Sequence, residues 1–229
     1  MIFEYYLAIC MVIMLGCLWY CGRIYQIPFW KVLIIGVSIT VSADLGAHMM
    51  GFVELGIWTG RSIYGGLFFT PLFMWLVAKL IRVSYADVMD LSAPGGLILI
   101  SLLKLRCYFD GCCYGRTFYN NHGSSFRFPS QIVECVTALI LAAVIILMLR
   151  DQKWRGILCA YFFILYGSTR FILNFFRATK PWLGPFASGT IWSVVAVVIG
   201  IAWILLYRRK QAIQLSAEAT ATKGGGSFD

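Results

Sequence analysis

Charged side chains are scarce in this chain of 229 residues: Asp, Glu, Lys and Arg together make up 13% of it, against 60% hydrophobic residues. A soluble domain of this length needs more polar surface to cover its core, so a soluble fold is excluded. The apolar stretches also lack the polar and apolar alternation of membrane-barrel strands, which leaves helices that satisfy their backbone hydrogen bonds internally. A cleavable secretory leader is not indicated, because the first apolar stretch carries Glu4, has no basic leading region and shows no convincing cleavage site. No internal repeat is evident, which counts against a transporter built from inverted halves. The formal net charge of +9 leaves no nucleic-acid footprint either, since Lys and Arg fall mostly between the apolar stretches, where they set orientation and meet anionic headgroups.

What is present is length and hydrophobicity, with a mean hydropathy of +0.80. Seven windows, near 3–21, 31–53, 63–82, 88–107, 130–149, 157–176 and 187–207, match the roughly 20 helical residues that cross a hydrocarbon core. The expectation is an all-α polytopic membrane protein with about seven transmembrane helices over 1–210. A polar, glycine-rich tail over 211–229 is expected to be disordered and cytoplasmic. With the N-terminus outside, every inner connection is basic: Arg23 and Lys31, Lys79 and Arg82, Arg150, Lys153 and Arg155, then Arg208, Arg209 and Lys210. Arginines also fall in the outer connections, where an anionic headgroup site would account for them.

Charges at membrane depth are costly unless they serve a site or a partner. Residues 104–116, KLRCYFDGCCYGR, end one apolar window with such charges. Lys104 and Arg106 lie about 200° apart on a helix, so both cannot face one headgroup unless the helix ends there; Gly111 suits such an ending. Either cation alone is equally well explained by snorkelling to the interface. Cys107, Cys112 and Cys113 offer soft thiolates, yet tetrahedral zinc would need a fourth donor such as His122. Adjacent cysteines also point apart unless the backbone bends sharply, so no metal is expected; a disulfide from Cys107 to one of the pair is the alternative. In 129–134, PSQIVE, Ser130 can cap a helix, while Glu134 lies a turn into the membrane and wants a partner. Tyr166, Arg170, Asn174 and Arg177 in LYGSTRFILNFFR share one helix face and should line the bundle interior, as a structural network or as a phosphate or carboxylate site. The paired glycines after Tyr64 allow close backbone approach, 93–96 (APGG) reads as a kink with tight contact, and Asp44 and His48 are four apart and expected to pair in order to survive burial.

The order YGGL, then DLSAPGG with KLRCYFDGCCYGR, then PSQIVE, then LYGSTRFILNFFR resembles prolipoprotein diacylglyceryl transferase. The resemblance implies seven transmembrane helices in the bacterial plasma membrane and transfer of the diacylglyceryl group of phosphatidylglycerol to the lipobox cysteine thiol of a preprolipoprotein. Glycerol phosphate is released, and neither metal nor nucleotide is needed. Position by position, the family's arginine falls on Lys104, the following glycine on Arg106 and its asparagine on Asp110, with Gly111 matching. Gln131 and Glu134 match its helix-opening pair, and Tyr166, Gly167 and Arg170 match its Tyr-Gly-x-x-Arg. The family's glutamate four residues on is Asn174 here, and the histidine of its His-Gly-Gly motif is Tyr64. The resemblance thus implies a catalytic set of Tyr64, Glu134 and Arg170, with Arg170 and Lys104 or Arg106 contacting phosphate, Tyr64 and Glu134 polarising or positioning the reactants, Tyr166 and Gln131 supporting them, and Asp110, Gly111 and Asn174 in the substrate-binding set. Loss of the histidine removes the obvious neutral-pH base; a tyrosine would need strong neighbouring cations, Arg170 or Arg61, to take its place. A relative that binds lipid without transferring it is the rival reading.

Overall fold

The computed structural model describes residues 2–56, 58, 62–119, 125–178 and 187–224. Arg61 and His122, both singled out from the sequence, lie outside the described residues. The described residues form seven helices: α1 Ile2–Ile24, α2 Phe29–Leu55, α3 Ile63–Ile81, α4 Tyr85–Phe109, α5 Ser130–Leu149, α6 Leu158–Asn174 and α7 Ser188–Gly224. Five of them contain stretches long and apolar enough to cross a membrane, while Ala8–Ile24 and Leu158–Asn174 supply shorter apolar stretches. The protein is a multi-pass, all-α membrane protein.

Its outward surface fits that solvent. Val12, Leu72, Leu80, Leu147, Leu205 and Leu206 are all largely exposed, which is costly in water and neutral in lipid. The core is closed by Met14 and Leu18 of α1, Ile35 of α2, Met74 of α3, Leu91 and Leu97 of α4, Ile145 and Leu149 of α5 and Phe163 of α6. Helix α4 is the central post: it packs on α1, α2, α3, α5 and α6, and 67% of its apolar window is buried, against a third or less for the other spans. α2 pairs with α3, and α6 with α7.

Between α2 and α3 the backbones nearly touch. A side-chain carbon added at Gly65 would overlap the Gly46 carbonyl, so the glycine after Tyr64 is required by the helix contact that the paired glycines suggest. In 93–96 the two glycines differ. A carbon at Gly95 would press on Leu18, whereas one at Gly96 meets nothing within 4 Å, so only Gly95 serves the expected contact.

One end of the bundle is tied by a buried carboxylate on α4. Asp90 accepts from the Tyr25 hydroxyl at 3.0 Å and from the backbone N–H groups of Gly156, Leu158 and Cys159, closing the start of α6. Beside it Arg155 grips Asp87 through two bonds of 2.7 and 2.8 Å. A short 3-10 turn, Gln152–Trp154, completes this corner. The opposite end carries a small hairpin, β1 Thr117–Tyr119 and β2 Ser125–Arg127, paired antiparallel with Phe118 opposite Phe126. The loop near 108–129 is therefore partly strand, and α4 continues through Phe109.

Two readings need correction. Ser130 does not cap α5: Pro129 holds the cap position, and the Ser130 hydroxyl instead donates to the Cys113 carbonyl at 2.8 Å. The His48 imidazole lies 3.7 Å from the Asp44 carboxylate, but Asp44 is 60% exposed and not buried, because its face of α2 turns away from the bundle. Separately, α7 runs on past Lys210 to Gly224, through a stretch of Ala, Gln, Leu and Glu with strong helix preference.

The glycine contacts yield a paired test. Gly65→Ala should lower stability by about 1–3 kcal/mol by forcing α2 and α3 apart, whereas Gly96→Ala should be neutral or stabilising by up to about 1 kcal/mol from helix propensity. Thermal unfolding of both variants in detergent checks this; equal effects would rule out the tight α2–α3 contact.

Candidate functional site

Where α4 ends and α5 begins, three helices deliver charge to one point. Lys104 is buried on α4 because it continues the inward face of Leu97 and Ser101. Glu134 lies one turn inside α5, and Arg170 is on the buried stripe of α6 with Tyr166 and Asn174. Lys104 Nζ sits 2.7 Å from Glu134 Oε2. The other oxygen, Oε1, pairs with Arg170 Nη1 and with Arg177 Nη1, the latter at 2.6 Å. Arg177 lies beyond the end of α6, fixed by an isolated antiparallel bridge to Gly115 and by the Arg116 N–H donating to Phe176 O at 2.8 Å. The hairpin segment is thereby pinned over the site.

Among the described residues, then, one carboxylate faces three cations. Buried ions of this kind cost several kcal/mol each to desolvate, and one carboxylate offsets only part of that. Arg170 Nε is buried and has no hydrogen-bond partner among the described residues. The cluster therefore has both spare positive charge and a spare donor, as an anion site requires. A cavity of about 10 Å³ adjoins it, lined by Thr137, Tyr166, Thr169 and Arg170 among others. That is room for about one water.

The remaining sequence candidates are distributed around this centre. Tyr64 is buried on α3 with its hydroxyl 2.8 Å from the Gly189 carbonyl and 2.6 Å from Ser193 Oγ, and Asn174 Nδ2 donates to the same Ser193 at 3.3 Å. These three form a network joining α3, α6 and the start of α7. Tyr166 is buried and stacks on Phe162 at 5.8 Å. Arg106 is not brought to Glu134: its Nε is 2.9 Å from Asp110 Oδ2, and its guanidinium lies over Tyr6. The helical offset from Lys104 accounts for that, since α4 continues through both residues. Gln131 is buried and donates to the Cys112 carbonyl at 2.5 Å, so Gln131 and Ser130 together hold the turn after α4.

That turn bends sharply. Gly111 and Cys113 both have positive φ, 65° and 59°, and the backbone reversal lets adjacent cysteines converge. The sulfur atoms of Cys107, Cys112 and Cys113 all lie within 4.8 Å of one another, and all three thiols are free. The Cys113 thiol, outside the helices, is pulled down to about 5 by the hydrogen bond from Cys107 and by the nearby Lys104 and Arg177, against the opposing effect of burial.

The comparisons bear on what these residues serve. A family model described as prolipoprotein diacylglyceryl transferase matches residues 4–206. The chain belongs to that family. Among curated prolipoprotein diacylglyceryl transferase relatives, each named phosphatidylglycerol--prolipoprotein diacylglyceryl transferase, that of Chlorobaculum tepidum is 28% identical over 166 residues, 67% of this chain and 57% of the relative. That of Geobacter sulfurreducens is 27% identical over 168 residues, 68% of this chain and 65% of the relative. That of Streptococcus pneumoniae is 28% identical over 171 residues, with the same shares. The chain thus spans less than two thirds of the length of these transferases.

Arg177, read from the sequence onto the face it shares with Arg170, is brought to Glu134. Ser193 was not among the sequence candidates and had no signal there, because only the packing of α7 on α3 and α6 brings it near.

Two outcomes follow. Glu134→Gln leaves two buried cations and the partly buried Arg177 without their counter-charge and should cost about 3–5 kcal/mol of stability, read as a lowered unfolding temperature in detergent; an unchanged temperature would mean the cations are not held by this carboxylate. With a thiol held near 5, Cys113 is already thiolate at about pH 6, so its alkylation rate should change little up to about pH 8, while an ordinary thiol near 8.5 gains roughly tenfold per unit over that range. Peptide mass spectrometry after timed iodoacetamide exposure resolves the Cys113 rate from the others.

Proposed function

We propose that this chain transfers the diacylglyceryl group of phosphatidylglycerol to the lipobox cysteine of a preprolipoprotein, working at the outer face of the bacterial inner membrane with its N-terminus outside and C-terminus in the cytoplasm. The observation that carries this reading is the spare positive charge around Glu134, together with the unpaired Arg170 Nε. In the reaction the acceptor thiol loses its proton, its sulfur bonds to C3 of the diacylglyceryl glycerol, and the bond from that carbon to the phosphate oxygen breaks. The phosphodiester begins with one negative charge, and the departing glycerol phosphate carries about two. Three cations against one carboxylate suit the second state better than the first, and catalysis depends on that difference.

Lys104, Arg170 and Arg177 are the proposed phosphate contacts. Glu134 holds them in place before the lipid arrives and gives them up to the phosphate as it enters. Tyr64, with Ser193 and Asn174, orders the wall beside the reacting groups, Tyr166 backs Arg170, and Gln131 keeps the 107–113 turn against α5. Arg106, Asp110 and Gly111 shape the end of α4. The basic residues at the opposite end of the bundle, Arg23, Lys79, Arg82, Arg150 and Lys153 among them, support the proposed orientation.

One feature favours the rival reading of a lipid-binding relative without transferase activity: Tyr64 stands where the resemblance expects histidine, and its hydroxyl is taken up by Gly189 and Ser193. Full-length protein in membranes containing phosphatidylglycerol, given a lipobox cysteine peptide, decides between them. The expected outcome is a diacylglyceryl mass gain on the peptide, reduced about 100-fold or more in Arg170→Lys, which keeps the charge but loses the planar donor fork. Lipid binding without any mass gain would overturn the transferase reading in favour of the rival.

A further inference from the structure

The transferase reading makes no use of the three cysteines at the end of α4. Their convergence is built by several separate features. Cys107 closes the last turns of α4, one turn beyond Lys104. The left-handed Gly111 and Cys113 turn the chain back so that two successive side chains reach the same side. The Cys112 N–H donates to the Cys107 carbonyl at 3.0 Å, and Gln131 and Ser130 hold the carbonyls of Cys112 and Cys113. The turn is thus fixed by three hydrogen bonds while its sulfurs lie together, with Cys112 and Cys113 exposed and Cys107 half-buried.

We propose that Cys107, Cys112 and Cys113 form a three-sulfur site for a thiophilic d10 cation, with cuprous ion the best match. The donor set decides the class: three thiolates with no carboxylate or imidazole in the group, among the described residues, select a soft ion over magnesium, calcium or manganese. Structural zinc takes four ligands, whereas cuprous ion is satisfied by three thiolates in a plane. Sulfur atoms within 4.8 Å of one another need to close by only about 1 Å to share an ion at thiolate bonding distances of about 2.3 Å. On binding, all three sulfurs coordinate as thiolates, any remaining S–H proton passing to solvent, and three sulfur–metal bonds form with no change of oxidation state. The resulting complex is anionic, and Lys104 and Arg177 lie close enough to Cys113 to favour it electrostatically. This site is independent of the transferase reading, because it rests on sulfur geometry alone.

The test uses the reduced full-length protein under anaerobic conditions, with cuprous ion presented as its coloured bicinchoninate complex. The wild-type chain should strip one equivalent of copper from the dye. The Cys112→Ser, Cys113→Ser double variant should lose that uptake, and a Cys17→Ser, Cys21→Ser variant of the α1 thiols should retain it. If the double variant is misfolded by circular dichroism, Cys107→Ser, which leaves the exposed pair in place, takes over as the decisive variant and should also lose uptake. The proposal is overturned if the wild-type chain leaves the dye complex intact, if the cysteine variants take up copper as well as wild type does, or if zinc is bound where cuprous ion is not. It is also overturned if the three thiols are isolated as a disulfide that the reduced protein re-forms in preference to binding copper.

Discussion

Everything at the functional end of this protein hangs on one carboxylate in an apolar place. Glu134 alone, one turn into α5, would be untenable there; surrounded by Lys104, Arg170 and Arg177 it is the counter-ion that lets two cations be buried and a third, partly buried, join them. The arrangement also sets helix positions. α4, α5 and α6 each contribute one ion, so the charges must meet at one depth, and the registers of the three helices are locked together. The bridge between Gly115 and Arg177 extends this lock to the hairpin, which covers the charges from the membrane surface.

The two kinds of cation in the cluster are placed differently. Both arginines share Oε1 of Glu134, while Lys104 has Oε2 to itself. Lysine is a point charge on a flexible stem and can follow a ligand, whereas arginine presents a planar fork that fixes orientation. On the proposed reading, a lysine at the position where the resemblance expects arginine would alter how the anion is held more than how strongly. At the position of the expected histidine, Tyr64 has been drawn into a structural role between α3 and α7, which is why its ring is buried and its hydroxyl engaged.

Much of the architecture was legible in the sequence, because the bilayer demands long apolar helices and their windows coincide closely with the observed spans. The site was legible where helical periodicity governs it. The stripe from Tyr166 through Arg170 to Asn174 does face inward, and the angular offset of Lys104 and Arg106 does send them to different neighbours. What periodicity cannot carry is long-range pairing and local turn geometry. Ser193 meets Tyr64 only through packing of distant helices. Ser130 serves the turn after α4 and not its own helix, and Asp44 forms its pair yet faces outward. The cysteines converge because Cys113 adopts a backbone conformation uncommon for any residue but glycine.

Asp90, at the far end of α4, gives the bundle a mechanical asymmetry. It stitches α1 to the start of α6 through Tyr25 and three backbone N–H groups, with no mobile cation in the bond set. The other end is joined by ion pairs between side chains. If that end is the proposed headgroup site, Asp90 is the fixed end about which α4 and α6 would have to tilt for the gap at Arg170 to widen without the core coming apart.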